Sequence, residues 1–460
     1  MDVLDASILN IALPSIKADL GFSQQSLQWV VSGYILAYGG FLLLGARAAD
    51  LLGRRRVLVT GLVVFACASL TGGLAQGEAL LIGSRFVQGL GAAMMSPAAL
   101  STLTTTFRSD RDRAAAVGVW GAVSALAGAV GVLFGGLLTE GPGWRWVLFV
   151  NVPISALAVA GVFALLSSER ARARLASFDA LGAILVTGGM LLLVYALVKA
   201  PDVGWGSART AAELAGAGVI LAAFVVNELR ARNPLIPLSI LRIRGVAVAD
   251  ATMMLVAAAF IAMFFFLTLY MQTVLHYSPI QTGLAYLPLT GAVILGAGIA
   301  SPLFARFGTK PFIVAGSVIG AGGLYLLSRI PADGRYVSDL LPGLLVAGLG
   351  LGAVFVGVTT AANHGVEEGE AGLAAGLVNT GQQLGSALGL AVLSAVATER
   401  TTSLMHAGRS TVAHAATGGY ARALAVGVGF LLAGCLVALL TRNARPTAAA
   451  EAPQPVTEAA

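Results

Sequence analysis

Hydrophobic runs long enough to cross a bilayer recur from one end of this chain to the other, and they constrain its fold more than any other feature. About fourteen can be marked, near residues 1–16, 27–46, 57–75, 79–103, 114–138, 146–166, 178–198, 211–226, 245–271, 281–303, 311–327, 341–362, 371–397 and 421–440. A spanning helix needs roughly 20 mostly apolar residues and satisfies its own backbone hydrogen bonds where water is absent. Only 11% of the 460 residues are charged, against about 25% in average soluble chains, too few to coat a water-facing surface. The 58 glycines suit helices that approach closely in lipid and would weaken helices in water. The expected class is an all-α integral membrane protein.

Loop charge orients the chain. With the segment 47–56 placed in the cytoplasm, the inner segments carry 18 of the 28 Lys and Arg residues and the outer segments 9, while Arg85 lies within a run. This positive-inside bias puts both termini in the cytoplasm of a multi-pass protein of the cell membrane. The net charge of +6 is dispersed over short loops, which excludes a nucleic-acid-binding surface. Cys67 and Cys435 each lie in an apolar run and are expected to be buried, unreactive thiols. No disulfide or metal-ligand spacing occurs, and the four histidines, isolated in loops, are expected to be solvated. The tail 443–460, rich in Ala, Pro, Glu and Thr, reads as disordered.

The first run is short. Its residues before Lys17 reach about 24 Å, less than the hydrocarbon core of about 30 Å, so the expectation is that translation begins upstream. A faint internal echo places Asp50-Leu-Leu-Gly53-Arg54-Arg55 after the second run and Ala305-Arg-Phe-Gly308-Thr309-Lys310 after the tenth. Two six-helix halves with two helices inserted between them would give that spacing.

Several residues are out of place in an apolar chain. Arg47, Asp50, Gly53, Arg54 and Arg55 crowd one very short turn. Glycine suits a tight turn, and the carboxylate can pair with a base or a helix N-terminus, so the cluster could latch helix bundles in one state. Arg85 is flanked on both sides by apolar sequence. A charge at a helix centre costs roughly 2.5–3.5 kcal/mol, so it should face a cavity or a partner. Asp5 is its candidate partner, because a desolvated carboxyl can hold a proton until rearrangement hydrates it. Glycines including Gly131, Gly135 and Gly136 allow close helix packing in the fifth run. Asn379, Gln382 and Gln383 bring amides into the thirteenth run, either bonding between helices or facing a cavity. Trp29, Tyr34, Tyr38, Tyr270 and Gln272 could line a pocket for flat or cationic compounds, with Asn10 and Gln88 as further candidates. Phe264, Phe265 and Phe266 are expected to face lipid or to pack. Asp250 is an extra carboxyl early in the ninth run, either a second proton site or interfacial.

These strings resemble the major facilitator superfamily, in particular its fourteen-helix drug:proton antiporters. Arg47, Ala49, Asp50, Gly53, Arg54 and Arg55 match the superfamily's signature loop G-R-L-A-D-R-x-G-R-R, with Ala46, Ala48 and Leu51 departing from it. Leu4-Asp5-Ala-Ser7-Ile-Leu-Asn10-Ile-Ala-Leu13-Pro14 resembles the first-helix motif L-D-x-T-x-x-N-x-A-L-P. The string around Arg85, Gln88, Gly89 and Gly91 resembles the fourth-helix motif, whose arginine is tied to proton transfer. The fifth run resembles the antiporter motif G-P-x-x-G-G, except that Val132 replaces the proline and Ala127 a glycine. Trp144-Arg145-Trp146, Phe149, Asn151 and Pro153 resemble the segment opening the sixth helix, and 376–385 the thirteenth.

The resemblance implies two six-helix bundles, 1–170 and 233–442, with two inserted helices in 171–232. It implies export of drugs, antibiotics or other amphipathic molecules in exchange for protons. Asp5 and Arg85 would couple to the proton. The proton-motive force would replace any cofactor, and the protein would act as a monomer, with or without accessory export proteins. No nucleotide-binding loop motif is present, and no nucleophile or metal constellation suggests an enzyme. A symporter or facilitator for a metabolite is the alternative, supported by Val132; a non-transporting sensor would lack an appended signalling domain here. The Ala-, Gly- and Arg-rich composition hints at a high-GC bacterium, with self-resistance or general drug efflux both open.

Overall fold

The computed structural model describes residues 1–107, 110–166, 179–231, 234, 244–363, 371–407, 411–441 and 443. The segments 167–178 and 364–370, the tail beyond 443, and the side chain of Asp50 lie outside that description. Among the described residues every regular element is helical. In chain order they are α1 (Asp2–Leu20), α2 (Gln24–Leu52), α3 (Arg54–Gly73), α4 (Glu78–Thr106), α5 (Asp110–Glu140), α6 (Trp146–Phe149), α7 (Asn151–Leu165), α8 (Ala180–Val203) and α9 (Ala208–Arg230). Then follow α10 (Arg244–Leu269), π1 (Tyr270–Val274), α11 (Pro279–Phe307), α12 (Lys310–Leu327), π2 (Tyr336–Leu340), α13 (Leu341–Asn363), α14 (Ala371–His406) and α15 (Val412–Ala438).

Helix ends follow local chemistry. Ser23, Asp179, Ser207 and Thr411 cap the N-termini of α2, α8, α9 and α15 with side-chain oxygens, and Ser278 with Gln281 forms a reciprocal capping box on α11. α1 continues past its apolar run through Lys17 to Leu20, where Gly21 ends it in the left-handed region (φ 73). α2 and α3 are separated by one residue, Gly53, at φ 97. Gly308, its counterpart after α11, stands at φ 79. Both halves of the sequence echo therefore turn on a conformation that residues with a Cβ rarely adopt.

Nine helical segments among the described residues are long and apolar enough to cross a membrane, fewer than the fourteen expected. Among those outside this set, α1, α4 and α14 turn polar side chains inward: Asp5; Ser84, Arg85 and Gln88; Thr380, Ser386 and Ser394 are all buried. Polar groups turned inward lower mean hydropathy without meeting lipid. The outward faces carry Leu157 on α7, Val219 on α9 and Leu436 on α15, all well exposed in the isolated chain. A surface of that kind is covered by lipid.

The helices join across two seams. On one, α2 packs on α14, with α8 laid against both; there Gly40 leaves room only for Thr187 of α8. On the other, α5 packs on α1 and α11. A methyl group added at Gly131 would lie 2.6 Å from Ser7 Cβ, one at Gly135 2.8 Å from the Ile8 carbonyl, and one at Gly136 2.7 Å from Ile280 Cα. The fifth-helix glycines thus serve two neighbours at once. Val132, buried between them, presses its carbonyl on Gly283 of α11. α9 packs mainly on α8.

Candidate functional site

A buried polar cluster is built from six helices, α1, α2, α3, α4, α6 and α7. Arg85 on α4 and Asp5 on α1 are each 1% exposed, and Arg85 Nη1 lies 2.6 Å from Asp5 Oδ2. Asp5 Oδ1 accepts from Gln88 Nε2 at 2.8 Å and from Asn151 Nδ2 at 2.7 Å. Arg85 also donates to Gln88 Oε1 at 2.6 Å and, through Nε, to the Val30 carbonyl at 3.0 Å. Its guanidinium sits 4.3 Å over the Tyr34 ring. Ser69 of α3 receives Gln88 and Asn151 and donates to the Leu148 carbonyl at 2.8 Å.

Each participant is placed by its helix. Arg85 and Gln88 are three apart on α4 and so share a face. Asn151 opens α7, and the backbone stays helical through Val150 (φ −61, ψ −25) between α6 and α7. Just before α6, Trp144 Nε1 and Arg145 Nη1 both donate to Asp19 Oδ2 near the C-terminal end of α1, at 2.9 and 2.7 Å. The tryptophan–arginine segment thus ties the entry of α6 to α1.

An ion pair this deep persists only when both charges are well served. Arg85 is served by one carboxylate, one amide, one carbonyl and one aromatic face; Asp5 by one cation and two amides. Two atoms are left over: Asn151 Oδ1 and the Tyr34 hydroxyl are buried without a hydrogen-bond partner. A charge pair with an adaptable amide shell can exchange partners when a proton neutralises the carboxylate.

A second group lies beside it. Tyr38 hydroxyl meets Asp2 Oδ2 and Ser96 Oγ, each at 3.0 Å, and also bonds Asn379 of α14. Tyr34 and Tyr38 rings are 5.9 Å apart, which puts the two groups in contact.

The remaining sequence candidates do not converge on one space. Asn10 donates to Thr268 Oγ1 at 2.8 Å and to the Phe264 carbonyl at 3.2 Å, bridging α1 to α10. Gln272 in π1 donates to the Ile11 carbonyl at 2.9 Å, on the same seam. Trp29 packs on Tyr195 of α8, ring centroids 6.5 Å apart, facing the inserted helix. Gln88 and Tyr34 belong to the charge cluster. Asn379 lies at the α2–α14 seam, where Gln383 is wedged against Gly39, and Gln382 is half-buried between them in sequence.

Of the turn residues, Arg54 Nη1 donates to Thr105 Oγ1 at 2.6 Å and Arg55 stacks 4.9 Å from the Phe163 ring, contacts within the first half. Arg47 is exposed. One expectation is corrected: Cys67 is exposed on the outward face of α3, because its run is amphipathic only in packing and not in polarity. Of the two alternatives for the phenylalanines, Phe265 and Phe266 take packing, both buried and the latter against Tyr420. Ser69 and Val30 were not legible in the sequence as cluster members. Asn151 carried a signal, since it stands in the segment that resembles the opening of the sixth helix.

Comparison with known proteins agrees with this architecture. The fold is similar to that of an auto-inhibited POT family peptide transporter (TM-score 0.68, 14% identity, covering 97% of this chain and 96% of that one). It is also similar to a bacterial homologue of the human lysosomal transporter Spinster (TM-score 0.63, 15% identity, 95% and 94% covered). In sequence, the chain is 40% identical to the puromycin resistance protein pur8 of Streptomyces alboniger over 98% of this chain and 90% of that protein. It is 41% identical to the cephamycin export protein CmcT of Amycolatopsis lactamdurans over 86% of this chain and 82% of that protein. It is 37% identical to the tetracenomycin C resistance and export protein of Streptomyces glaucescens over 87% and 74%. The family model of the Major Facilitator Superfamily matches residues 1–390, and with a helical, multi-pass body and antibiotic-resistance and export proteins among its relatives, the chain belongs to that superfamily of membrane transporters.

Proposed function

We propose that this transporter exports antibiotics or other amphipathic small molecules in exchange for protons. The observation that carries the reading is the buried Asp5–Arg85 pair with its amide shell, a charge pair with no place in a purely structural apolar bundle. The names of the relatives support the cargo class. Protonation of Asp5 from one side would cancel its charge and release Arg85 to Gln88 and the Tyr34 face. Deprotonation toward the other side would restore the pair. Each proton moving inward supplies roughly 2.3 kcal/mol per roughly 100 mV, so no bound cofactor is required.

The reading includes fourteen spans in two six-helix halves, 1–170 and 233–442, with α8 and α9 inserted between them, both termini cytoplasmic, and a monomer as the working unit. Alternating access would rock the halves about the α2–α14 and α5–α11 seams. The signature turn at Gly53 would serve as the latch. A second reading, a symporter or facilitator, is favoured by one observation: Val132 stands where the antiporter motif has proline, with its carbonyl packed on Gly283.

The test uses inverted membrane vesicles, a pH-sensitive dye and puromycin as probe. Puromycin-dependent loss of lumenal protons, abolished in Arg85→Ala and Asp5→Asn, is expected. Puromycin uptake that persists when the proton gradient is collapsed would exclude the exchange.

A further inference from the structure

Outside the Asp5–Arg85 cluster, Asp250 is a carboxylate within an apolar span that makes no ion pair among the described residues. Asp250 lies in the second turn of α10, inside the apolar span Gly245–Val274. Its Oδ1 is buried with no hydrogen-bond partner. It faces Gly381 of α14, where a Cβ would overlap that oxygen.

The contact is part of a regular series. Gly381, Gly385 and Gly389 on α14 lie against Asp250, Met254 and Ala258 on α10. Both sets step by four residues in the same direction, so the helices run parallel with one ridge seated in one groove. Thr380, next to Gly381, also has a buried hydroxyl oxygen without a partner. A carboxylate at the end of such a zipper is pressed on a Cα where an ionised oxygen would need a donor or a cation.

No charge among the described residues supplies one. The elements packed on α10 are α1, α13, α14, α15 and π1. On α1, Asp5 is engaged by Arg85, Asp2 is bonded by Tyr38, and Lys17 and Asp19 lie at the far end of the helix. α13 has no ionisable side chain. On α14, Glu399, Arg400 and His406 begin about 27 Å along the helix from Gly381. α15 runs antiparallel to α10, with Tyr420 against Phe266 and Gly434 near Leu255, so His414, Tyr420 and Arg422 are at the far end. Cys435 alone is near that level, and its thiol is turned to the Val314 carbonyl. Tyr270 of π1 bonds the Pro331 carbonyl.

We propose that Asp250 is a proton-binding site of the second half of the molecule, distinct from Asp5. The packed zipper is the state of the neutral acid. Loss of the proton leaves a bare carboxylate oxygen on Gly381, which favours separation of α10 from α14 and entry of water. Asp250 is half-buried, so a proton can reach it. Asn10 bridges α1 to α10, so the two carboxyls sit on helices joined directly across the seam between the halves. The inference rests on the reading that protons drive this transporter, and it adds a second carrier in the other half.

The test is infrared spectroscopy of the purified full chain in lipid, following the carbonyl stretch of protonated carboxylic acid while pH is raised. Wild type is expected to hold this band at neutral pH and lose it in alkali. Asp250→Asn should remove it, while Asp5→Asn should leave it. An unchanged band in Asp250→Asn overturns the proposal. Should Asp250→Asn not fold, wild type treated with dicyclohexylcarbodiimide, which attacks protonated carboxyls in apolar surroundings, decides. An adduct on the peptide containing Asp250 supports the site, and its absence overturns it. Neither readout requires transport, so failure of proton-driven export would be seen separately in the vesicle assay.

Discussion

Arg85 Nη1 lies 2.6 Å from Asp5 Oδ2 with both side chains 1% exposed, yet the two partners are not equivalent. Asp5 can take a proton when its partner is removed; Arg85 cannot lose one. Breaking a buried pair costs about 3–5 kcal/mol when a charge is left uncompensated. Asp5→Asn should therefore lower thermal stability more than Arg85→Ala. The double variant, Asp5→Asn with Arg85→Gln, should recover part of the loss suffered by Asp5→Asn alone. Melting temperatures of the purified proteins in detergent check this; a larger fall in Arg85→Ala would refute it.

The ion pair near the C-terminal end of α1 makes the contrasting case. Asp19 accepts from Trp144 and Arg145, but the ion pair is 46% and 39% exposed. An exposed pair contributes about 0–1 kcal/mol and is screened by salt. Asp19→Asn should shift the melting temperature little and less still in high salt, even though its contact distance resembles that of the buried pair.

Gly53 and Gly308 hold φ values of 97 and 79. Alanine at either position meets a backbone penalty of about 1–2 kcal/mol. At Gly308 the added carbon would also overlap Asn443, which bonds Lys310 N and the Phe307 carbonyl. Gly308→Ala should thus destabilise by more than the backbone penalty alone, and Asn443→Ala in the same background should recover part of the loss, measured by thermal unfolding.

Asn10 and Gln272 bridge α1 to the second half on one seam, and Glu140 Oε2 meets Ile280 N at 3.2 Å on the neighbouring one. Hydrogen bonds between membrane helices average about 0.6 kcal/mol. Removing all three bonds with Asn10→Ala and Gln272→Ala should shift the packed state of this seam by about twentyfold. A cysteine pair replacing Glu140 and Ile280, in a chain free of Cys67 and Cys435, should cross-link more slowly in that background. An unchanged rate would show that the seam is held by packing alone.

Much of this was legible in sequence, and the reasons are local. A run of apolar residues must satisfy its backbone as a helix wherever water is absent, so the helices at 57–75, 311–327 and 421–440 could be read directly. Arg85 identified itself by cost, since no apolar run carries an arginine without a partner. The one-residue turn at Gly53 was legible from glycine between charges. What the residues could not show is which side chains meet. Asn151 is 146 positions from Asp5, and only the packing of α6 and α7 on α3 brings them together. Ser69 is one hydroxyl in an apolar helix until α3 turns it to the same point. Trp29 and Gln272, alike as pocket candidates, were parted by helix rotation, one toward α8 and the other toward α1. Composition and periodicity determine that a segment crosses the bilayer, because solvent acts on each helix singly. The polar cluster depends on the azimuth of every helix at once, and only the packed bundle decides that.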